Sequence, residues 1–297
     1  MKKSGYIAIA GQPNVGKSTL LNGLLKRKLA IISRRPETTR DNIRGILTEG
    51  DSQIIFTDTP GIHRPHNLLG KVMLTRAQSS LLEADIILLL TEKKFALNTE
   101  DMNIIARFPE ITDGKQVILI INKVDRIKQK GSLLPIIAKA GKKYPFAEII
   151  PMSALNTKNV EHLLSVIKSY LPEKPFPYPK DQLTDKSDTF MIQEIIREKI
   201  LTKTYEEIPH SVAVVVTDIQ EDKKTELLNI SATIFVERTS QKAIIIGKSG
   251  TMTRTIGQLA RTDIEELLNR RVYLELWVKV QDKWKKDPNA LEEMGYG

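Results

Sequence analysis

A glycine-rich segment near the start of the chain has the residues and the spacing of a phosphate-binding loop. Residues 11–18 read GQPNVGKS, which matches the pattern G-x-x-x-x-G-K-S, and they lie between a predicted strand and a predicted helix. The glycines allow backbone N–H groups to turn towards phosphate at a helix N-terminus, where the helix dipole favours anions. Lys17 is expected to reach the β- and γ-phosphates, and Ser18 to place its hydroxyl on Mg²⁺. The other residues expected to line this site are Gly11, Gln12, Pro13, Asn14, Val15, Gly16 and Thr19.

The segment DTPG at 58–61 follows a second predicted strand and can take part in the same chemistry. The Asp58 carboxylate is suited to hold magnesium through water, and Gly61 can turn its N–H towards the γ-phosphate. Thr59, Pro60 and Ile62 complete this part of the predicted nucleotide site. A tight turn is the alternative for the isolated tetrapeptide, but its place after a phosphate loop favours the nucleotide role.

The segment NKVD at 122–125 follows a further predicted strand and can recognise a base. Asp125 can accept hydrogen bonds from N1–H and N2–H₂ of guanine, whereas adenine lacks this donor pair and would leave the carboxylate unpaired. Asn122 is also expected to bind the nucleotide, and Lys123 is expected to stack along the base. Ser153 and Ala154 are expected to donate a backbone N–H to guanine O6. Together these segments predict a site for GTP or GDP with Mg²⁺.

A second glycine motif, GKSG at 247–250, lies between two predicted helices. Glycines permit close approach of the backbone to a ligand, and a lysine at the tip suits phosphate. This arrangement resembles the KH fold, whose G-x-x-G loop clamps four single-stranded nucleotides. The residues expected to contact RNA are Lys242, Ile244, Ile245, Gly247, Lys248, Ser249, Gly250, Met252 and Arg254. An ordinary turn between helices is the alternative.

Alternating strands and helices are predicted to position these motifs. The runs 6–10, 53–57, 84–90, 116–121 and 147–151 are mostly apolar along their length, which is typical of strands buried on both faces of a parallel sheet. Helical patterns such as 18–26 and 159–171 lie between them. Residues 172–179 read PEKPFPYP and cannot continue a helix. The sequence therefore predicts an α/β protein: a doubly wound parallel-sheet P-loop domain at 1–172, a proline-rich linker at 173–180 and a smaller α/β KH-type domain of the prokaryotic type at 181–297.

The distribution of charge and the lack of cysteine narrow the function classes. The net charge is +9, but residues 1–172 carry +11 and residues 173–297 carry −2, which does not fit a uniformly basic RNA-coating protein. Within the second part, residues 238–262 carry +5 and no acidic side chain, and such a patch favours polyanion recognition over a merely solvated face. The absence of cysteine excludes disulfide scaffolds and thiol nucleophiles. No apolar run reaches the length of a membrane span or a signal-peptide core, so a cytoplasmic protein is expected.

The order of the first set of motifs resembles that of the translation-factor-like GTPases. GQPNVGKS, TTRD at 38–41, DTPG, NKVD and MSA at 152–154 carry this resemblance. It implies that Thr39 is a magnesium ligand in a switch segment and that Lys17, Thr39 and Gly61 act in catalysis. Ile62 stands where Ras-like enzymes have a glutamine that orients the attacking water, and a hydrocarbon cannot do so. The chain resembles the subgroup in which K⁺ assists hydrolysis and is held in part by an asparagine of the phosphate loop, which corresponds to Asn14 here. The alternative is that Asn14 only shapes the loop.

A GTPase domain of this type followed by a KH domain resembles the Era family over nearly the whole chain. The resemblance implies a slowly hydrolysing GTPase, expected to be a monomer, that binds the 3′ region of small-subunit (16S) ribosomal RNA and assists 30S subunit assembly. It also implies some peripheral attachment to the inner face of the cell membrane. One alternative is a metabolic P-loop enzyme such as a nucleotide kinase, but NKVD and a DTPG switch have no function in such an enzyme. Another is a non-hydrolysing scaffold that uses GTP only as a structural ligand, or a membrane-surface signalling GTPase, and Ile62 keeps this alternative open.

Overall fold

The structure is a computed structural model that describes residues 1–33, 35, 38–62, 65–93, 112, 114–222 and 226–297. It divides into two compact units, one of Met1–Arg64 with Met73–Asp185 and one of Pro65–Val72 with Lys186–Gly297. Each unit has its own sheet and its own hydrophobic core. Within the described ranges, no helix combines the length and the apolar character needed to cross a membrane.

The sheet of the first unit is parallel except at one edge. Its described strands are β1 (Lys3–Gly11), β2 (Ile43–Glu49), β3 (Ser52–Asp58), β4 (Ile86–Glu92), β5 (Gln116–Asn122) and β6 (Glu148–Pro151). Their order is β2-β3-β1-β4-β5-β6, and only β2 runs antiparallel to its neighbour. The predicted doubly wound sheet is confirmed, but β2 was not predicted. Its apolar pattern is interrupted by Gly45, where a Cβ atom would lie 2.4 Å from Leu25 Cδ1.

Helices cover both faces of this sheet: α1 (Lys17–Leu25), α2 (Leu68–Glu83), α3 (Leu134–Lys143) and α4 (Thr157–Tyr170). Alternate residues of the central strands pack with Ala77 and Leu81 of α2 and with Ala140 of α3. Helix α1 contacts β1 to β3 and α4. Short 3-10 turns occupy Val124–Arg126 and Lys130–Leu133. Because parallel strands end at a common edge, the segments after β1, β3, β5 and β6 meet there, as in other doubly wound sheets.

The proline-rich segment does not form a free spacer. It lies along the first unit, where Tyr178 N–H donates to Gln53 Oε1 (3.0 Å) and Gln53 Nε2 donates to the Tyr178 carbonyl (3.0 Å). Further along, Ile46 N–H donates to the Leu183 carbonyl (2.8 Å). Residues up to Asp185 therefore group with the first unit, whereas the second domain was predicted to begin at residue 181. Prolines prevent a helix here, but the carbonyls and the remaining N–H groups still pair with the sheet.

The second unit has a three-stranded sheet with helices before, between and after its strands. Its main elements are α5 (Asp188–Lys203), α6 (Ile208–Ser211), β7 (Ala213–Asp222), β8 (Leu227–Val236), α7 (Thr239–Ile246), α8 (Thr251–Leu268), β9 (Val272–Val280) and α9 (Pro288–Glu293). Strand β8 pairs antiparallel with β7 and parallel with β9. Helices α5, α7 and α8 pack on one face of the sheet through one apolar cluster. The KH-type α/β architecture predicted from the sequence is confirmed.

Candidate functional site

The predicted phosphate loop joins β1 to α1 and lines a cavity of about 400 Å³. Gly11 and Gly16 have φ angles of +147° and +103°, which residues with a side chain rarely adopt. A Cβ atom at Gly16 would lie 2.4 Å from Asn122 Nδ2, so this glycine is also required for space. Asn14, with φ +65°, is exposed. Described residues from all predicted nucleotide segments line the cavity: Pro13, Asn14, Gly16, Lys17, Ser18, Thr19, Thr39, Gly61, Asn122, Lys123, Asp125, Ser153 and Ala154.

Lys17 is held inside the loop that it is predicted to serve. Its side chain is buried, and Nζ donates to the carbonyls of Gly11 (3.2 Å) and Gln12 (3.0 Å). Burial lowers the pKa of Lys17, and the Asp58 carboxylate opposes part of that change. An ammonium group fixed at the first residue of α1 adds its charge to the N-terminal end of the helix dipole, so the loop favours an anion.

Three oxygen-bearing side chains meet beside Lys17. Ser18 Oγ donates to Asp58 Oδ2 (2.7 Å), Thr39 Oγ1 donates to the same oxygen (3.2 Å), and the two hydroxyls are 3.1 Å apart. Burial raises the pKa of Asp58, while Lys17 and the two hydroxyls oppose the rise. The other carboxylate oxygen, Oδ1, is buried and has no hydrogen-bond partner among the described residues. Two hydroxyls and a carboxylate with an unsatisfied oxygen are the hard oxygen donors that Mg²⁺ prefers, so these residues fit that ion.

The segment after β3 is packed closely against the phosphate loop. Thr59 Oγ1 donates to the Ile9 carbonyl (2.9 Å), and Pro60 is buried. A Cβ atom at Gly61 would lie 2.8 Å from Pro13 Cγ, so only glycine fits there. Ile62 N–H donates to the Gly11 carbonyl (3.3 Å), and its side chain lies in the hydrophobic cluster of the sheet. The side chain of Ile62 therefore packs in the hydrophobic core of the first unit.

Asn122 ties the phosphate loop to the segment after β6. This buried residue donates from Nδ2 to the Val15 carbonyl (2.8 Å) and accepts at Oδ1 from Ala154 N–H (2.9 Å). Ser153 N–H in turn donates to Asn159 Oδ1 (3.0 Å). The donation from Ser153 or Ala154 to guanine O6 stays a prediction, and it requires that one of these N–H groups be shared with the base or released from its present acceptor. The sequence could not show that both N–H groups have acceptors within the protein.

The base-side residues Lys123 and Asp125 reach the cavity from a 3-10 turn. Asp125 is exposed and lines the cavity, as a base-binding carboxylate requires. Lys123 Nζ donates to the Asn14 carbonyl (2.6 Å) and forms an ion pair with Glu92 at the end of β4. The aliphatic part of Lys123 therefore has a fixed direction. Glu92 was not singled out in the sequence, since nothing in its local pattern reveals a partner 31 positions away.

Other residues that contribute to the site were not predicted from the sequence. Asn22 accepts at Oδ1 from the N–H groups of Leu29 (2.9 Å) and Ala30 (2.8 Å), which fixes the chain after α1. Further cavity-lining residues are Ile32, Ser33, Arg35, Thr38, Arg126 and Leu155. Thr38 is the first residue of TTRD, and the other five belong to no motif with a required spacing. In the described part of the chain, no three His, Cys, Asp or Glu side chains are grouped as metal ligands.

The GKSG loop has the backbone that its glycines predict. Gly247, Ser249 and Gly250 have φ angles of +72°, +51° and +78°, and Lys248 and Ser249 are exposed at the tip. A Cβ atom at Gly247 would lie 2.8 Å from Met252 Cβ, so this position tolerates only glycine. The loop thus presents its backbone and Lys248 outward between α7 and α8.

The flanking residues divide between the surface and the core. Ile244 is 49% exposed and Arg254 is exposed, but Ile245 is fully buried in the core of the second unit. The prediction that Ile245 contacts RNA is therefore wrong, because successive residues of α7 point about 100° apart and only its neighbour faces outward. Met252 is partly buried and packs against the same core, and Lys242 is partly exposed.

Comparisons with known proteins agree with both units. Residues 6–123 match the family described as 50S ribosome-binding GTPase, and residues 207–285 match the KH domain family. The GTPase Era of Syntrophus aciditrophicus is 49% identical over 296 residues, which cover 100% of this chain and 96% of that protein. The GTPase Era of Clostridium tetani is 46% identical over 297 residues, 100% and 99% of the two chains.

Two solved structures are similar along the full length. A crystal structure of Era in complex with MgGDPNP and nucleotides 1506–1542 of 16S ribosomal RNA has a TM-score of 0.96 and 42% identity, with 100% of each chain covered. A crystal structure of an Aquifex aeolicus Era variant bound to GDP and aluminium fluoride has a TM-score of 0.95 and 42% identity, with 99% of each chain covered.

Proposed function

Because this chain belongs to the Era family of GTPases, we propose that it is a GTP-driven switch that binds the 3′ region of small-subunit ribosomal RNA and assists 30S subunit assembly. One observation carries the proposal: the nucleotide cavity and the outward GKSG loop occur in a single chain. A similar protein has been crystallised with MgGDPNP and 16S ribosomal RNA together, which supports the pairing of these two ligands.

We assign the phosphate end of the cavity to the reacting part of GTP. Lys17, already directed into the loop, would exchange its two carbonyl partners for the β- and γ-phosphate oxygens. Ser18 and Thr39 would hold Mg²⁺ directly and Asp58 through water, since their oxygens already converge. Magnesium, when bound, neutralises charge on the phosphates. The N–H of Gly61, packed on Pro13, would lie near the γ-phosphate.

We assign the base end of the cavity to guanine. Asp125 would accept the N1–H and N2–H₂ donors, and the fixed stem of Lys123 would lie along the ring. Asn122 touches no part of the base in this assignment. Its two hydrogen bonds hold the phosphate loop and the segment after β6 in fixed positions relative to each other, so that both ends of GTP would be bound at once.

Hydrolysis is proposed to be slow and stimulated by K⁺. The buried side chain of Ile62 cannot orient water, so the chain has no group equivalent to the Ras glutamine at this position. Asn14, exposed on the phosphate loop, is the proposed K⁺ ligand. The test is multiple-turnover phosphate release in potassium and in sodium chloride. Because Asn14 has a positive φ, Asn14→Gly removes the side chain without backbone strain. Asn14→Ala also removes the side chain, but it leaves a Cβ atom at a positive φ.

Each outcome of that test has a meaning. Loss of the potassium effect in both variants supports the assignment. Equal turnover of the unaltered chain in the two salts contradicts the K⁺ role. Absence of multiple turnover in either salt favours instead a scaffold that uses GTP only as a ligand.

RNA binding is proposed to depend on the backbone at GKSG. Lys248→Asp with Ser249→Asp places two carboxylates against the expected phosphates while both side chains stay exposed. Gly247→Asp is unsuitable, because its Cβ atom would overlap Met252. We expect the double variant to lose binding to a labelled single strand from the 3′ region of 16S ribosomal RNA and to keep its GTP affinity. The affinity of the unaltered chain should fall with salt, with about 0.7 of logarithmic slope for each neutralised phosphate.

The control is Lys203→Asp, which repeats the charge reversal of Lys248→Asp at an exposed position of α5 in the same unit. Its RNA affinity should remain close to that of the unaltered chain. Retained RNA binding by the double variant would place the RNA site elsewhere.

On the family resemblance we also propose that the protein is monomeric and cytoplasmic and that it attaches peripherally to the membrane. Flotation with anionic vesicles can test the membrane attachment.

A further inference from the structure

The face of the second sheet that points away from the helices carries two exposed aromatic rings. Along β9, Val272, Leu274, Leu276 and Val278 pack into the core of this unit. Since side chains alternate along a strand, Tyr273 and Trp277 point to the opposite face. Each is 57% exposed, whereas Trp284 of the same unit is fully buried. We call this outward side of β9 the outer face.

Cationic side chains flank the two rings. Arg271, just before β9, and Lys279, near its end, are both exposed, and neither forms an ion pair with another described residue. Between the rings lies Glu275, whose Oε2 accepts from Ser231 Oγ (3.3 Å) on β8. Cation, ring, acid, ring and cation therefore follow one another at intervals of about 6.7 Å along the strand. Planar rings with flanking cations can bind bases by stacking and phosphates by charge.

The outer face adjoins the proposed GKSG site through β9 itself. This strand is an edge of the three-stranded sheet. On its inner side, Leu276 Cδ1 lies 3.5 Å from the Cβ position of Gly257 in α8, the helix that follows the GKSG loop. The same edge thus borders the helices of the GKSG site on one side and Tyr273 and Trp277 on the other.

We propose that the outer face is a second contact surface for single-stranded RNA, on which bases stack on Tyr273 and Trp277 while Arg271 and Lys279 meet the adjacent phosphates. The inference rests on the proposed function and extends it from the GKSG loop to the other side of β9. A KH loop clamps four nucleotides, so a longer strand extends beyond that site, and β9 is a sheet edge that adjoins it. Stacking accepts any base, so the surface would add affinity without adding sequence preference.

RNA length provides the first test. Two labelled single strands of RNA, one of four nucleotides and one of twelve, are titrated at the same salt concentration. Both contain the same sequence for the GKSG site. Tyr273→Ala and Trp277→Ala should each weaken the twelve-nucleotide strand about tenfold, or about 1.4 kcal/mol, and leave the four-nucleotide strand and GTP unaffected. Tyr205→Ala is the matched control, because Tyr205 is 69% exposed in the same unit but lies outside the sheet.

Tryptophan fluorescence provides the second test, because Trp277 and Trp284 are the two tryptophans of the chain and only Trp277 is exposed. The twelve-nucleotide strand should quench the emission of Trp277, and the four-nucleotide strand should not. Trp277→Phe retains a ring, so it should keep the affinity for the long strand while it removes the quenching.

The outcomes separate this inference from the proposed function. Unchanged affinity of Trp277→Ala and Tyr273→Ala for the long strand, with no quenching, overturns the stacking surface and leaves the outer face for a protein partner. If the unaltered chain binds neither strand, the RNA-binding function itself fails. Selective loss of the long strand supports the proposal.

Discussion

Replacement of Gly16 by alanine is expected to disrupt the nucleotide site at one identifiable contact. The residue has φ +103°, and an added Cβ atom would lie 2.4 Å from Nδ2 of the buried Asn122. The nearest atom is thus the end of a side chain that is itself held by two hydrogen bonds. Since Asn122 cannot move aside without losing these bonds, Gly16→Ala should lower both the stability of the chain and its affinity for GTP.

The expected magnitude follows from two separate contributions. Alanine at a positive φ costs about 1 kcal/mol. Displacement of Asn122 breaks its bonds to Val15 (2.8 Å) and Ala154 (2.9 Å) and leaves buried polar groups unsatisfied, at about 1–1.5 kcal/mol each. The sum is about 3–4 kcal/mol. Gly50→Ala is the matched control, because Gly50 also has a positive φ (+57°) but no atom within 4 Å of its Cβ position, so only about 1 kcal/mol is expected.

The free energy of unfolding is measured by circular dichroism in urea, and GTP affinity by calorimetric titration. A double-mutant cycle then isolates the contact. Asn122→Ala removes the atom that the new methyl group would meet, so Gly16→Ala should cost only about 1 kcal/mol in that background, a coupling of about 2–3 kcal/mol. Additive effects of the two substitutions, or equal costs for Gly16→Ala and Gly50→Ala, would refute the steric explanation.

Three further predictions concern guanine selectivity, Ile62 and a buried ion pair. Asp125→Asn places an amide N–H₂ against the guanine donors, so calorimetry should show weaker GTP binding and a relative gain for xanthosine triphosphate; unchanged GTP affinity would contradict the NKVD assignment. Ile62→Ala should lower the unfolding free energy by about 2–3 kcal/mol but keep turnover within about tenfold, because the side chain packs in the core and a hydrocarbon cannot orient water. Arg197 Nε donates to Glu194 Oε1 (2.7 Å) inside α5, and this carboxylate raises the pKa of Arg197 despite its burial. Glu194→Leu should therefore cost about 3 kcal/mol of stability, and Arg197→Met in the same chain should recover most of it in urea unfolding; no recovery would show that the loss does not come from breaking the pair between Glu194 and Arg197.

The sequence alone determined the features that depend on local spacing. The phosphate loop is recognisable because its glycines, Lys17 and Ser18 must lie at fixed intervals between a strand and a helix, and the structure places them there. The alternation of apolar strands with helices determined the parallel sheet of the first unit in the same way. The GKSG loop was recognisable for the same reason, since its positive φ angles require glycine within four residues.

Tertiary structure decided what depends on partners distant in the sequence. Strand β2 is held by antiparallel pairing with β3, and residues 173–185 by bonds to the first unit, so their local patterns did not predict these positions. Burial separates Ile245 from Ile244, which composition cannot do for adjacent identical residues. The N–H groups of Ser153 and Ala154 and the ammonium of Lys123 are engaged by Asn159, Asn122 and Glu92. These contacts form only when the strand ends meet at one edge of the sheet, because hydrogen bonds and ion pairs depend on distance in space and not on separation along the chain.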